Sequence, residues 1–295
     1  MDIGIIGGGA IGLLFASYLH KDHQVTLYTR TLQQASCILE EGLFLKKGND
    51  MTKAEIRAVP LEEKGPGSHD LLIIAVKQYQ LGGIRHFLKK GNSPLLFLQN
   101  GMGHLEFIDE LPGQKGIYVG VVEHGSMKQK DNIVCHTGVG TTKVAPVSGA
   151  MTLFDGMAQP GFPFICMNDH EDMLKSKLIV NAVINPLTAV LSAKNGELLS
   201  NPFYYSLFLR LFDEVALALE FPDRQKVREH VVDVCRKTAE NRSSMLRDLD
   251  NGRETEIDAI LKYTIDLAEK KSLDVPLSRS LYDMVKGKEV AGKEA

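Results

Sequence analysis

Residues 2–19 read DIGIIGGGAIGLLFASYL, and the fold is decided there. Asp2–Ile6 has the near-continuous apolar look of a strand covered on both faces. It runs into Gly7-Gly8-Gly9-Ala10-Ile11-Gly12, which fits G-x-G-x-x-G, and then into the apolar helical stretch Leu13–Leu19. Gly7 allows the tight turn, Gly9 lets the backbone approach a pyrophosphate, and Gly12 lets helix pack close to sheet. The helix N-terminus adds N–H donors and the positive end of its dipole. A second strand, Gln24–Tyr28, follows on schedule, so the context predicts that Gly7, Gly8, Gly9, Ala10, Ile11 and Gly12 hold a dinucleotide. The charge-free run Ile3–Leu19 follows Met1-Asp2, not a basic start, and contains five glycines. It is therefore read as neither a signal peptide nor a membrane span.

The end of the second strand chooses the dinucleotide. An NAD site wants Asp or Glu there to accept the ribose 2′-hydroxyl. Thr29-Arg30-Thr31 supplies no acid, and Arg30 can pair with a 2′-phosphate in a fork and stack on adenine. The reading is NADPH.

Further apolar runs, Asp70–Val76, Leu95–Leu98 and Ile117–Val122, extend the parallel sheet. Lys77 and Gln99-Asn100-Gly101 follow two of these runs, and the carboxyl ends of strands line the ligand crevice of an open parallel sheet. Taken alone, Lys77 also reads as a solvated strand end and Asn100-Gly101 as a turn pair. After about Cys166 the texture becomes helical. Asn168-Asp169 with an acidic first turn predicts a helix start, and long helical runs cover Met173–Leu191, Phe203–Phe221, Arg224–Thr238, Glu254–Lys271 and Leu277–Lys286. The expected architecture is an α/β Rossmann-type domain over 1–167 and an all-α domain over 168–295, with a charged, frayed tail from Lys286 to Ala295.

The chain has 295 residues and a formal net charge of −3. It therefore offers no basic field for nucleic acid or an acidic membrane. Cys37, Cys135, Cys166 and Cys235 are scattered, which reads as reduced thiols in a cytoplasmic protein and not as a disulfide framework or zinc site. The nine histidines form no H-E-x-x-H, and no metal is expected. Phe203, Tyr204, Tyr205, Phe208 and Phe212 are read as core or as an inter-subunit face, and the extensively apolar helix points towards a homodimer.

From Leu178 to Ala193 no residue is charged. Lys177, Asn181 and Asn185 are four apart, each step turning only about 40° around a helix axis, so they form one polar ridge. A surface helix has a broad polar face; this one is expected to be buried except for a strip, with Pro186 kinking it beside the ridge. Buried amides need partners. Two readings fit equally: a core helix whose asparagines bond neighbouring backbone, or a cleft helix whose asparagines meet a ligand.

The stretch KLIVNAVINPLTAVLSAKNGEL, Lys177–Leu198, resembles a signature of the ketopantoate reductase family (2-dehydropantoate 2-reductases). Ser243-Ser244-Met245-Leu246-Arg247-Asp248 and Arg253-Glu254-Thr255-Glu256-Ile257-Asp258 resemble its second signature. The glycine-rich start, the Lys77 strand end and Gln99-Asn100-Gly101-Met102-Gly103 are similar too. The resemblance implies a 6-phosphogluconate-dehydrogenase-like arrangement of domains and NADPH-dependent reduction of 2-dehydropantoate to (R)-pantoate, a step toward pantothenate and coenzyme A.

Carried over by position, the resemblance makes Lys177 the general acid and Asn181, Asn185, Asn195 and Ser244 substrate ligands. It sets Asn100 between cofactor and substrate, gives Arg30, Lys77 and Gly125 to the cofactor, and places Glu256 near the nicotinamide end as the expected partner of Lys177. By composition alone, Glu254, Glu256 and Asp258 read as dipole-complementing acids at a helix start. Three positions depart from the family pattern: Leu174 for a frequent tryptophan, Leu261-Lys262 for a frequent Asn-Gly, and Glu123-His124 where small residues or threonine are common. The alternatives are a related reductase of another 2-oxo acid and a non-catalytic NADPH-sensing module.

Overall fold

The charge-free helix of the opening stretch is apolar all round because it is covered on two sides. In the computed structural model, which describes residues 1–61, 65–111 and 115–294, β1 (Asp2–Ile6) leads through the glycine turn into α1 (Ala10–Leu19), whose residues from Gly12 to Leu19 are all buried. One side of α1 meets the sheet begun by β1. The other meets a second sheet that the apolar-run reading did not anticipate.

The chain continues through β2 (Gln24–Thr29), α2 (Leu32–Glu41), β3 (Leu43–Lys47), β4 (Asp50–Ala54), β5 (Arg57–Pro60) and β6 (Leu71–Ile74). Then come α3 (Leu81–Lys90), β7 (Leu95–Phe97), α4 (His104–Asp109), β8 (Ile117–Val122), β9 (Gly125–Lys130), β10 (Ile133–Gly138), β11 (Thr142–Ser148) and β12 (Phe164–Cys166). The large sheet has the order β12-β11-β8-β7-β6-β1-β2-β5. It is parallel from β5 to β8, and β11 then runs antiparallel to β8. The small sheet, β4-β3-β10-β9, is built from strands with polar, half-exposed faces, so no apolar run marks it in the sequence.

Packing against α1 is aromatic. Phe15 meets Phe162 edge-on at 5.0 Å, and Tyr18 stacks on Phe162 at 4.5 Å and hydrogen-bonds His136 Nδ1 through its hydroxyl at 2.8 Å. Full burial of a side chain such as Phe15 is worth about 1.5–3 kcal/mol.

The sequence reading ran β6 and β7 too far at their carboxyl ends. The last ladder bond runs from the Leu98 N–H to the Ile74 carbonyl (3.1 Å); beyond it the Gln99 side chain takes over, donating from Nε2 to the carbonyls of Ile74 (2.9 Å) and Val76 (2.8 Å).

By its internal contacts the chain divides into two units: Met1–Gln99 with His104–Met173, and Asn100–Gly103 with Leu174–Ala295. The change falls after Met173, inside α5 (His170–Leu191), which Asp169 caps by accepting the Asp172 N–H at 3.0 Å. The second unit continues with α6 (Glu197–Ser200), α7 (Pro202–Ala218), α8 (Arg224–Lys237) and α9 (Ser244–Asp250). A π-helical turn (Asp258–Lys262) then precedes α10 (Tyr263–Lys270) and α11 (Pro276–Glu294).

Two expectations are corrected here. The helix expected from Glu254 begins only at Ile257, because the Thr255 hydroxyl accepts the Ile257 N–H (3.2 Å) while Thr255 itself is held elsewhere. The tail expected to fray from Lys286 is helical to Glu294, with Ala295 outside the described residues. It is anchored because Val285 is buried and Lys288 Nζ donates to the last carbonyls of α5, Ala189 and Val190, at 3.0 Å each. That contact satisfies helix-end acceptors with a cation where the dipole favours one. α5 itself continues through Pro186 without interruption.

Candidate active site

In the first unit the chain steps from β1 outward to β2, then returns to β6 on the other side of β1. That reversal is where open α/β sheets bind ligands, beyond the carboxyl ends of the strands. Gly7–Gly12 follows β1, Arg30 follows β2, Lys77 follows β6 and Gly125 follows β8, all parallel neighbours or near-neighbours in that set. A Cβ on Gly12 would lie 1.9 Å from the Gly7 carbonyl oxygen, so only glycine lets α1 start this close to the turn. A Cβ on Gly9 would meet nothing within 4 Å, and α1 begins at Gly9 with no side-chain cap. Its first N–H groups, from Ala10 onward, are thus available to an anion. Gln34, which sequence reasoning missed, fixes this turn: its Nε2 donates to the carbonyls of Gly8 (2.8 Å) and Asp131 (2.9 Å).

At the end of β2 both threonines are used locally. Thr29 Oγ1 donates to the Thr31 carbonyl at 2.8 Å, and Thr31 Oγ1 caps α2 by accepting the Gln34 N–H at 3.3 Å. Arg30 is left exposed, and among the described residues its guanidinium has no hydrogen bond or ion pair. Lys77 is half-buried, its Nζ 6.0 Å from the centre of the Tyr79 ring. Gly125 opens β9, where a Cβ would lie 2.7 Å from Thr137 Oγ1. The departures at Glu123 and His124 serve the framework: Glu123 pairs with Lys143 (2.7 Å), and His124 is buried with its ring stacked on Phe162 at 4.6 Å.

In the second unit the ridge on α5 is as the periodicity predicts. From Leu178 to Ala189 every residue is buried except Val180 and Asn181, and Lys177 is half-buried. Asn185 is 6% exposed. Among the described residues neither the Asn181 nor the Asn185 side chain has a hydrogen-bond partner, so bonding to neighbouring backbone is not what they do. Thr188, one turn on, bonds instead to the Ile184 carbonyl and the Ser243 hydroxyl, both at 2.8 Å. Ser243 also caps α9, accepting the Leu246 N–H at 3.1 Å. The adjacent Ser244 is exposed at the start of α9. Asn195 is partly committed: Nδ2 donates to Thr238 Oγ1 at 2.9 Å, while Oδ1 is buried with no partner among the described residues. Leu174 and Leu261, two of the departures, are buried apolar residues.

Asn100 belongs to this second unit although it follows the first unit's β7. Its Nδ2 donates to Glu256 Oε2 at 2.8 Å, a pairing across 156 positions of sequence that no local pattern signals. The next residue makes the approach possible. Gly101 has φ +80°, and a Cβ there would lie 1.9 Å from the Ala259 carbonyl oxygen at the π-turn. π-turns inside helices are rare and cluster at functional sites. Of the expected aromatic face, Phe208 and Phe212 are core, whereas Phe203 is 79% exposed.

Two family models match the chain. Ketopantoate reductase PanE/ApbA matches residues 3–149, and its C-terminal counterpart matches 169–289. The chain belongs to the ketopantoate reductase family. Among its relatives in the family, the 2-dehydropantoate 2-reductase of Bacillus subtilis is 41% identical over 294 residues, covering 98% of each chain. That of Listeria innocua is 37% identical, covering 98% of this chain and 97% of its own. The crystal structure of the probable Bacillus subtilis 2-dehydropantoate 2-reductase superposes with a TM-score of 0.90 at 40% identity, covering 98% of this chain and all of that one. The family consists of oxidoreductases that use a nicotinamide cofactor, and both the α/β first unit and the helical second unit of this member conform to it.

Proposed function

We propose that this family member reduces 2-dehydropantoate to (R)-pantoate with NADPH, in the route to pantothenate and coenzyme A. The observation that carries the reading is the ridge Lys177–Asn181–Asn185: a half-buried cation in line with two amides that have no side-chain hydrogen-bond partner among the described residues, on an otherwise buried helix. Cofactor binding alone would need none of it, which argues against a sensing module. In this reading residues 1–167 form the NADP-binding domain and 168–295 the substrate domain.

The residues fit the cofactor: an uncapped helix start, open space at Gly9, no acid at the end of β2 and an unpaired arginine there. Gly7–Gly12 would hold the pyrophosphate, Arg30 the 2′-phosphate, and Lys77, Asn100 and Gly125 further cofactor contacts. When bound, NADPH supplies the hydride for the keto carbon. Negative charge then builds on the keto oxygen, and Lys177 Nζ delivers a proton to it. Asn181, Asn185, Asn195 Oδ1 and the Ser244 hydroxyl orient the substrate's hydroxyl and carboxylate as neutral partners. Glu256, joined to Asn100, sets the polarity at the reacting end. A cytoplasmic location belongs to the same proposal, supported by four free cysteines.

NADPH oxidation measured across a panel of small 2-oxo acids tests this function. 2-Dehydropantoate should have the highest kcat/KM. A better substrate in the panel would replace the proposed one, and no turnover of any member would favour the sensing module.

The cofactor choice has its own test. A charge-assisted hydrogen bond is worth about 1.5–3 kcal/mol, so Arg30→Ala should weaken NADPH binding by roughly ten- to hundredfold and leave NADH binding nearly unchanged. Titration by cofactor fluorescence reads both constants, and equal losses would remove Arg30 from the site.

A further inference from the structure

We propose that Glu289, near the carboxyl end of α11, is a positioning residue: it fixes the segment around Thr255 and so sets Glu256 in place against Asn100. This rests on the reading of Glu256 as part of the active site. Glu289 is 7% exposed, and one carboxylate oxygen, Oε1, accepts both the Thr255 N–H (2.8 Å) and the Thr255 hydroxyl (2.6 Å). Its other oxygen pairs with Lys286 Nζ at 2.8 Å. Lys286 in turn reaches Asp258 at 3.2 Å, and Tyr282 donates to the same carboxylate at 2.7 Å. The residues flanking Glu256 are therefore gripped from α11 on both sides: Thr255 by Glu289, and Asp258 by Lys286 and Tyr282. Glu256 itself is left to accept from Asn100.

Thr255 is 2% exposed, so its backbone N–H would be an unsatisfied buried donor without Glu289. Burial alone would raise the Glu289 carboxyl, but the bonds from Lys286 and Thr255 outweigh it and hold the group below the ordinary carboxylate value. At neutral pH it is thus a pure acceptor facing three donors, the arrangement that a charged carboxylate satisfies and a neutral amide does not. The same helix ties down the end of α5 through Lys288.

The test uses the full-length protein and two readouts. Hydrogen exchange over peptides spanning residues 255–257 should quicken in Glu289→Gln and stay unchanged in Asp283→Asn, an exposed position on the same helix. In Glu289→Gln, kcat should fall about ten- to hundredfold, the scale of a small misplacement of a reacting group, with NADPH affinity intact. Thr255→Val removes one of the two bonds without touching the buried charge and should fall in the same direction, whereas Thr255→Ser should retain parent activity. In a Glu256→Gln background, adding Glu289→Gln should change kcat little. Unchanged exchange, undiminished kcat beside an impaired Glu256→Gln, or full additivity of the two losses would each overturn the proposal. Normal turnover of Glu256→Gln alone would instead overturn the catalytic reading of Glu256, and exchange would then decide whether Glu289 holds the segment.

Discussion

Lys177→Ala is expected to cut turnover of 2-dehydropantoate by about 10²–10⁴-fold, the usual contribution of a positioned general acid. The lysine sits at the head of the α5 ridge, half-buried, with the amides of Asn181 and Asn185 one and two turns below it. Removal of its ammonium leaves the developing oxyanion without a proton donor, while substrate orientation by the amides persists. NADPH affinity should survive, because the residues proposed to hold its phosphates, Gly7–Gly12 and Arg30, belong to the first unit and Lys177 to the second. Steady-state kinetics separates this from a simpler role. If Lys177 only anchors the substrate carboxylate, KM rises and kcat at saturation stays near that of the parent protein, since uniform binding has then been lost and not transition-state stabilisation.

The second large effect is expected at a residue with no side chain. Gly101→Ala must accommodate a Cβ at φ +80°, at a cost of about 1–2 kcal/mol for the left-handed backbone. The new Cβ would also stand 1.9 Å from the Ala259 carbonyl oxygen, a backbone atom that no rotamer change can move aside. The loop must lift from the π-turn, which carries Asn100 away from Glu256. Turnover should fall by roughly a hundredfold, the scale of about 1 Å of misplacement, and the melting temperature should drop as well. A variant with parent kcat would show that the Asn100–Glu256 pairing has no part in catalysis.

The two glycine-dependent sites differ in how they can be found. Gly7–Gly12 is legible because strand, turn and helix are consecutive in the chain, and each residue type answers a local steric or dipolar need. The place of Arg30 is legible for the same reason: it stands one residue past β2, a strand whose end is fixed by covalent spacing. The α5 ridge is legible through helical periodicity.

Other features lay beyond local pattern. The small sheet over α1 pairs β3 with β10, strands about 90 residues apart with mixed polar faces, so neither period nor apolarity marks it. The helix start expected at Glu254 moved to Ile257, and the tail expected to fray is ordered to Glu294, for a single cause. Glu289 bonds Thr255 across 34 positions, and Lys288 bonds the end of α5 across 99. Asn100 is marked by its place past an apolar strand and by the resemblance, but its bond to Glu256 requires Gly101 to approach Ala259 closely. The sequence by itself determined the elements whose causes lie within one turn or one strand of the residue concerned. The tertiary structure alone decided which distant donors and acceptors meet, because a buried polar group takes its partner from whatever the packed fold places beside it.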